Sequence, residues 1–155
     1  MNKEEYSGDY QEHLLQQYLS YVESSKEVSK RRLKNNKFFV TLLSSLAVFL
    51  SYIETMNVSN NIPDYGLFSV AIMGSIFSFL WSCSIWSYRQ INSGKYKVIS
   101  DFEEKLPFNP YDEEWEYLKE GEDWKKYLEH TKVELMVPIP LTIIFIVFAI
   151  LNCPF

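Results

Sequence analysis

A chain of 155 residues has room for one membrane unit and one small polar module, and not for two independent soluble domains. Its formal net charge of -5 and pI near 5.1 argue against nucleic acid as a partner. The mean hydropathy of -0.15 resembles that of a soluble protein only because it averages three apolar runs with two highly charged segments.

Residues 1–37 are expected to form a cytoplasmic amphipathic helix, capped by Ser7 or Asp9, with Leu14, Tyr18, Tyr21, Val22, Ser25 and Val28 on one face. That face requires a partner. The helix ends in Lys30-Arg31-Arg32-Leu33-Lys34-Asn35-Asn36-Lys37, a basic collar in which Arg31, Arg32, Lys34 and Lys37 suit anionic lipid head groups. The segment is too long and too polar for the start of a secretory signal, and no small-x-small cleavage site follows the next apolar run. The first span is therefore expected to be retained.

Residues 38–88 read as a transmembrane hairpin. The first span covers about Phe38–Met56 and the second Leu67–Tyr88, which carries no charge until Arg89. At about 1.5 Å per residue the second span reaches roughly 33 Å, enough to cross the hydrocarbon core of a bilayer. Ser44, Ala47 and Ser51 form a small-residue stripe in the first span, and Gly74, Ser78 and Ser82 form one in the second. Small residues let helix backbones approach in lipid, so the spans are expected to pair with each other or with copies of themselves. Asn57–Gly66 is a turn-forming loop, in which Asn57-Val58-Ser59 matches a glycosylation acceptor. Glu54, near the outer end of the first span, either snorkels to water or, in a symmetric ring, contributes to a carboxylate ring at a pore mouth.

All 15 lysines and arginines lie in residues 1–37 or 89–132. The positive-inside rule places both segments in the cytoplasm and the loop between the spans outside.

Residues 89–136 are expected to be a helical cytoplasmic module. Ile91, Val98, Ile99, Phe102 and Leu106 continue the second helix beyond the membrane until Pro107 stops it. Asn109 and Pro110 open a short helix bearing Trp115 and Leu118, Gly121 breaks it, and Asp123 caps another bearing Trp124, Tyr127, Leu128 and Thr131. Arg89, Trp115, Trp124 and Tyr127 are the module's expected packing and assembly positions. Residues 137–155 supply a short third span, about Val137–Leu151, with Pro138 and Pro140 in its first turn and an outer tail. Cys83 and Cys153 then fall near opposite faces of the membrane and are not expected to pair. Nothing reads as a strand, and the expected class is all-α.

Catalytic chemistry has no sequence signal. The carboxylates between Asp101 and Glu134 read first as a solvated face, with a divalent-cation site as the alternative, and they lack the spacing of a calcium loop. His130 and Glu134 stand one helical turn apart, but there is no HExxH. Neither a phosphate loop nor a nucleophile motif occurs, so no cofactor, metal or catalytic residue is expected.

Tyr88-Arg89, Asn92, Lys95, Leu106-Pro107, Pro110, Glu114-Trp115, Leu118, Tyr127, Thr131, Glu134 and Val137-Pro138 resemble the RipA family of octameric bacterial membrane proteins. Tyr21, Ser29, Arg31-Arg32, Asn36 and Phe38-Phe39 are similar to that family's approach to the membrane. The resemblance implies a small inner-membrane protein with a cytoplasmic N-terminus and module, assembled as a homo-octamer. One branch of the family is linked to envelope lipid homeostasis and growth inside host cells, and no catalytic residues carry over. The expected protein is a non-enzymatic ring-forming scaffold or regulator with membrane lipids or a cytoplasmic protein as further partners. Its rival is an oligomeric channel or membrane-disrupting effector, and a weaker one is a lipid-acting membrane enzyme.

Overall fold

A computed structural model describes Tyr6 and residues 8–55, 65–121, 123 and 127–153, with Glu54 described by its backbone alone. The described residues form five α-helices: α1 (Tyr10–Thr55), α2 (Tyr65–Glu103), α3 (Pro110–Tyr117), α4 (His130–Leu135) and α5 (Pro138–Leu151). A single 3-10 turn, Lys119–Gly121, follows α3. Three helical stretches are long and apolar enough to cross a membrane: Tyr10–Ile53, Tyr65–Glu103 and His130–Leu151.

α1 contains no glycine or proline, so nothing interrupts it at the basic collar, and the amphipathic segment and first span are one helix. Asp9 starts it by accepting the Glu12 N–H at 3.1 Å. Ser7, the alternative cap, and most of the loop between α1 and α2 lie outside the described residues. α2 stops at Glu103, a few residues before Pro107, through tightened turns in which Lys105 and Leu106 donate to Phe102 and Glu103. Pro110 then occupies the first position of α3, where a missing N–H costs no bond. Pro138 and Pro140 use the same freedom at the start of α5.

Asn109 sits at the cap position of α3, but its side chain makes no capping hydrogen bond. The Glu103 carboxylate takes that role, accepting the Tyr111 N–H at 3.1 Å. The helix expected from Asp123 is also absent at residues 127–129, and α4 starts only at His130. One turn-like bond, Tyr127 N–H to the Asp123 carbonyl at 3.0 Å, remains. Side-chain contacts decide this segment: the Tyr127 ring packs edge-on to Trp115, and Glu129 pairs with Arg89.

The chain divides into two compact units, Met1–Arg31 with Tyr88–Glu129, and Arg32–Ser87 with His130–Phe155. The first unit closes α1 on the far part of α2. Leu14, Ser25 and Ile99 are buried, Tyr21 meets the Phe102 ring, and the Lys95 ammonium lies 4.7 Å over Tyr21 while donating to Ser24. The second unit is the apolar one. Its core is Leu43 and Leu50 of α1, Trp81 and Ile85 of α2 and Phe145 of α5, ringed by Phe39, Phe77, Leu135 and Phe148.

Candidate functional site

Within the second unit a polar layer crosses the helices next to the apolar core. Asn35 donates to Ser84 at 2.8 Å, and Asn36 accepts the Trp81 indole N–H at 2.9 Å while Phe39 stacks on the same indole. Arg32 donates to Glu134 at 2.7 Å through its Nη2 and at 2.9 Å through Nε, and also reaches the Thr131 hydroxyl. Both nitrogens converge on one oxygen, Glu134 Oε2, and these charge-assisted bonds fix α4 to α1. Of the four residues expected to meet lipid head groups, Arg32 is therefore turned inward. Arg31, Lys34 and Lys37 are exposed.

The two small-residue stripes have different fates. In α2, Gly74 and Ser78 are buried and Ser82 is half-buried, and the Phe145 ring fills the space over Gly74, where an added Cβ would lie 2.6 Å from it. That stripe is consumed inside the chain, by α5. In α1, Ser44, Ala47 and Ser51 are exposed, on a strip adjoining the face that buries Leu43 and Leu50. Ala47, Val48, Ser51, Tyr52 and Thr55 line an open, shallow and largely apolar groove there. The groove's hydroxyls turn back on their own helix, Ser51 donating to the Ala47 carbonyl and Thr55 to that of Ser51.

In the first unit the organising group is a carboxylate that the sequence reading did not single out. Glu103 has no exposed surface, yet both oxygens are used: one accepts the Tyr18 hydroxyl at 2.8 Å, the other the Tyr111 N–H. It thus joins α1, α2 and α3. Burial beside this carboxylate pushes the Tyr18 phenol up to about 12, and burial, then Tyr96, Glu103 and Glu114, raises Tyr111. Ser100 adds a bond to Asp112 at 2.9 Å. Of the expected module residues, Arg89 pairs with Glu129, and Trp115 packs on Tyr127 and lies 3.3 Å from a Cβ built on Gly121. That glycine has φ +80°, a conformation that Lys119 and Glu120 also adopt beside it. Trp124 lies outside the described residues, as does the Glu54 side chain.

The acidic run is dispersed. Asp112 is tied to Ser100, while Glu113, Glu114 and Glu116 are exposed, and Glu134 pairs with Arg32. No group of three or more His, Cys, Asp or Glu placed to hold a metal occurs among the described residues. Cys83 and Cys153 are exposed free thiols.

The profile of the octameric membrane protein family, 8xMP, matches residues 15–154, almost the whole chain. The chain belongs to that family. Membership in 8xMP and the three span-length helices together make it a multi-pass membrane protein. No curated protein and no solved structure matches it. The match takes in the polar layer, the Glu103 junction and both small-residue stripes. The Arg32–Glu134 pair was hidden in the sequence because Arg31 and Arg32 look alike there. Adjacent helical positions differ by about 100°, however, so only one of the two can face inward.

Proposed function

We propose that this protein is a non-enzymatic, homo-octameric scaffold or regulator of the bacterial inner membrane, with its N-terminus and its module, residues 89–136, in the cytoplasm. Within 8xMP the residues quoted above ally it with the RipA members, and a role in envelope and lipid homeostasis follows from that likeness. One observation carries the reading: the family match spans residues 15–154 and so takes in the apolar part of each span-length helix. The confinement of all 15 basic residues to residues 1–37 and 89–132 supports the orientation. The exposed cations Arg31, Lys34 and Lys37 meet anionic lipid head groups, and the exposed face of α3, with Glu113, Glu114 and Trp115, is available to a cytoplasmic protein.

Single-thiol labelling tests the threading in intact cells. With Cys83 replaced by serine, a membrane-impermeant maleimide should modify Cys153 from outside. A cysteine at exposed Ser93, in a chain lacking both native thiols, should react only after permeabilisation. Modification of the Ser93→Cys chain in sealed cells would reverse the orientation and remove the module from the cytoplasm.

A further inference from the structure

The polar layer also fixes how thick a slab of hydrocarbon the second unit can cross. Asn36 reaches Trp81 and Asn35 reaches Ser84, so these four residues share one level, and exposed Lys37 follows directly on Asn36. Beyond that level the charge-free stretch of α1, residues 38–53, is sixteen residues long, about 24 Å at 1.5 Å per residue. α2 covers the same height, since Tyr65 to Trp81 is sixteen steps and again about 24 Å. α5 agrees from its own residues. Arg32 holds Glu134 at the polar layer and the helix ends at Leu151, which leaves residues 135–151, about 25 Å.

We propose that the lipid-facing surface of this protein is built for a thin bilayer, with a hydrocarbon core of about 24 Å against roughly 30 Å in a typical membrane, and gathers phospholipids with short acyl chains. The inference rests on the multi-pass reading and needs neither the octamer nor a direction of crossing.

The two edges of the slab are held by groups that cannot shift. A lysine can reach out to water from below the surface, but Glu134 is pinned sideways by Arg32 and keeps 29% of its side chain exposed, so hydrocarbon at its level would strip water from an ion pair. At the other edge exposed Tyr52 and Tyr65 supply interfacial aromatics. The start of α2 and the end of α5 carry backbone groups that hydrocarbon cannot satisfy. Tilting the helices only lowers their height further. The uncharged run of α2 is longer than this slab, and its surplus, residues 82–87, reads Ser-Cys-Ser-Ile-Trp-Ser. Three serines and an exposed tryptophan suit head groups better than acyl chains. The roughly 33 Å obtained from length alone therefore includes about 9 Å that stands among head groups.

Full-length protein reconstituted in phosphatidylcholine vesicles tests the fit. Monounsaturated lipids with chains of fourteen to twenty-two carbons compete with a dibrominated eighteen-carbon analogue for the protein's surface, read as recovery of tryptophan fluorescence. Fourteen- and sixteen-carbon chains should displace the analogue best, about two-fold or more better than twenty-two-carbon chains. A preference that peaks at eighteen carbons or longer, or no preference, would overturn the inference while leaving the threading untouched. Conversely, labelling of the Ser93→Cys chain in sealed cells would reverse the threading and leave the thickness unchanged. Depth supplies a second reading. With Cys153 replaced by serine, a dye on exposed Cys83 in eighteen-carbon bilayers should be quenched more by a nitroxide on the lipid head group than by one at mid-chain. The opposite order would put residues 82–87 inside the hydrocarbon, restore the longer span and refute the thin slab.

Discussion

Glu103 shows how one residue can decide the packing of a unit. A carboxylate without exposed surface is costly unless its oxygens are bonded, and here a phenol and a backbone N–H from two other helices supply the bonds. The arrangement has a pH signature. The Tyr18 phenol is raised from 10.0 to about 12, so between those values the folded protein holds a proton that the unfolded chain has released. Its contribution is complete below pH 10 and is lost as the pH climbs through 12. Two units correspond to at most about 2–3 kcal/mol. Tyr111 is raised in the same direction and adds a smaller slope of the same sign. Denaturant unfolding followed between pH 9 and 12 should therefore show wild type losing more stability than Tyr18→Phe, with the difference isolating this phenol from the lysines that titrate alongside it. Parallel curves for the two proteins would mean that Tyr18 donates no bond that matters to Glu103.

Between elements, position relative to solvent separates ion pairs that look equivalent as distances. Lys30–Glu27 at 2.6 Å lies on the outside of α1 with 67% and 49% of its side chains exposed, whereas Arg32–Glu134 at 2.7 Å leaves only 13% and 29%. The first is screened by solvent and contributes little. The second anchors α4, and breaking it strands a half-buried charge at a cost of about 2–4 kcal/mol. A double-mutant cycle of Arg32→Met and Glu134→Gln in thermal unfolding should give a coupling well above that of Lys30→Met and Glu27→Gln. Equal couplings would reduce Arg32–Glu134 to a surface pair. The element pattern itself was readable: uncharged runs, Asp9, Pro107 and Pro110 mark most of the helix ends seen here. Periodicity placed Leu14, Tyr18, Ser25 and Ile99 on inward faces, but it could not name their partners. Local signals carried a helix through residues 127–129, which are not helical and where Tyr127 and Glu129 instead meet Trp115 and Arg89. The same local reading gave the α3 cap to Asn109, since the group that binds the Tyr111 N–H stands on the preceding helix. Neither stripe of small residues revealed from sequence which was filled by Phe145 and which stayed open.

For the whole molecule, what lines the axis of a ring separates scaffold from channel. Phe38–Ile53, Leu67–Ser87 and Pro138–Leu151 contain no lysine, arginine, aspartate or glutamate. Conduction needs carbonyls, charges or free hydroxyls that replace an ion's water. Thr41, Ser45, Ser51 and Thr55 instead donate to carbonyls one turn back on α1, and Thr142 does the same on α5. Outward surfaces of α2 and α5 are led by Met73, Ile76, Phe79, Ile143 and Ile150. On the proposed scaffold reading the large apolar side chains of α2 or α5 face the axis, and lipid rather than a water column fills it. Liposomes loaded with potassium and containing the octamer should then hold their gradient as long as empty ones, until an ionophore is added. The rival reading makes the opposite forecast: rapid loss of the gradient, slowed by Glu54→Gln, as a carboxylate ring at a pore mouth would require. A leak that the Glu54→Gln chain reproduces in full would exclude that ring and still contradict the scaffold, since an apolar axis passes no potassium.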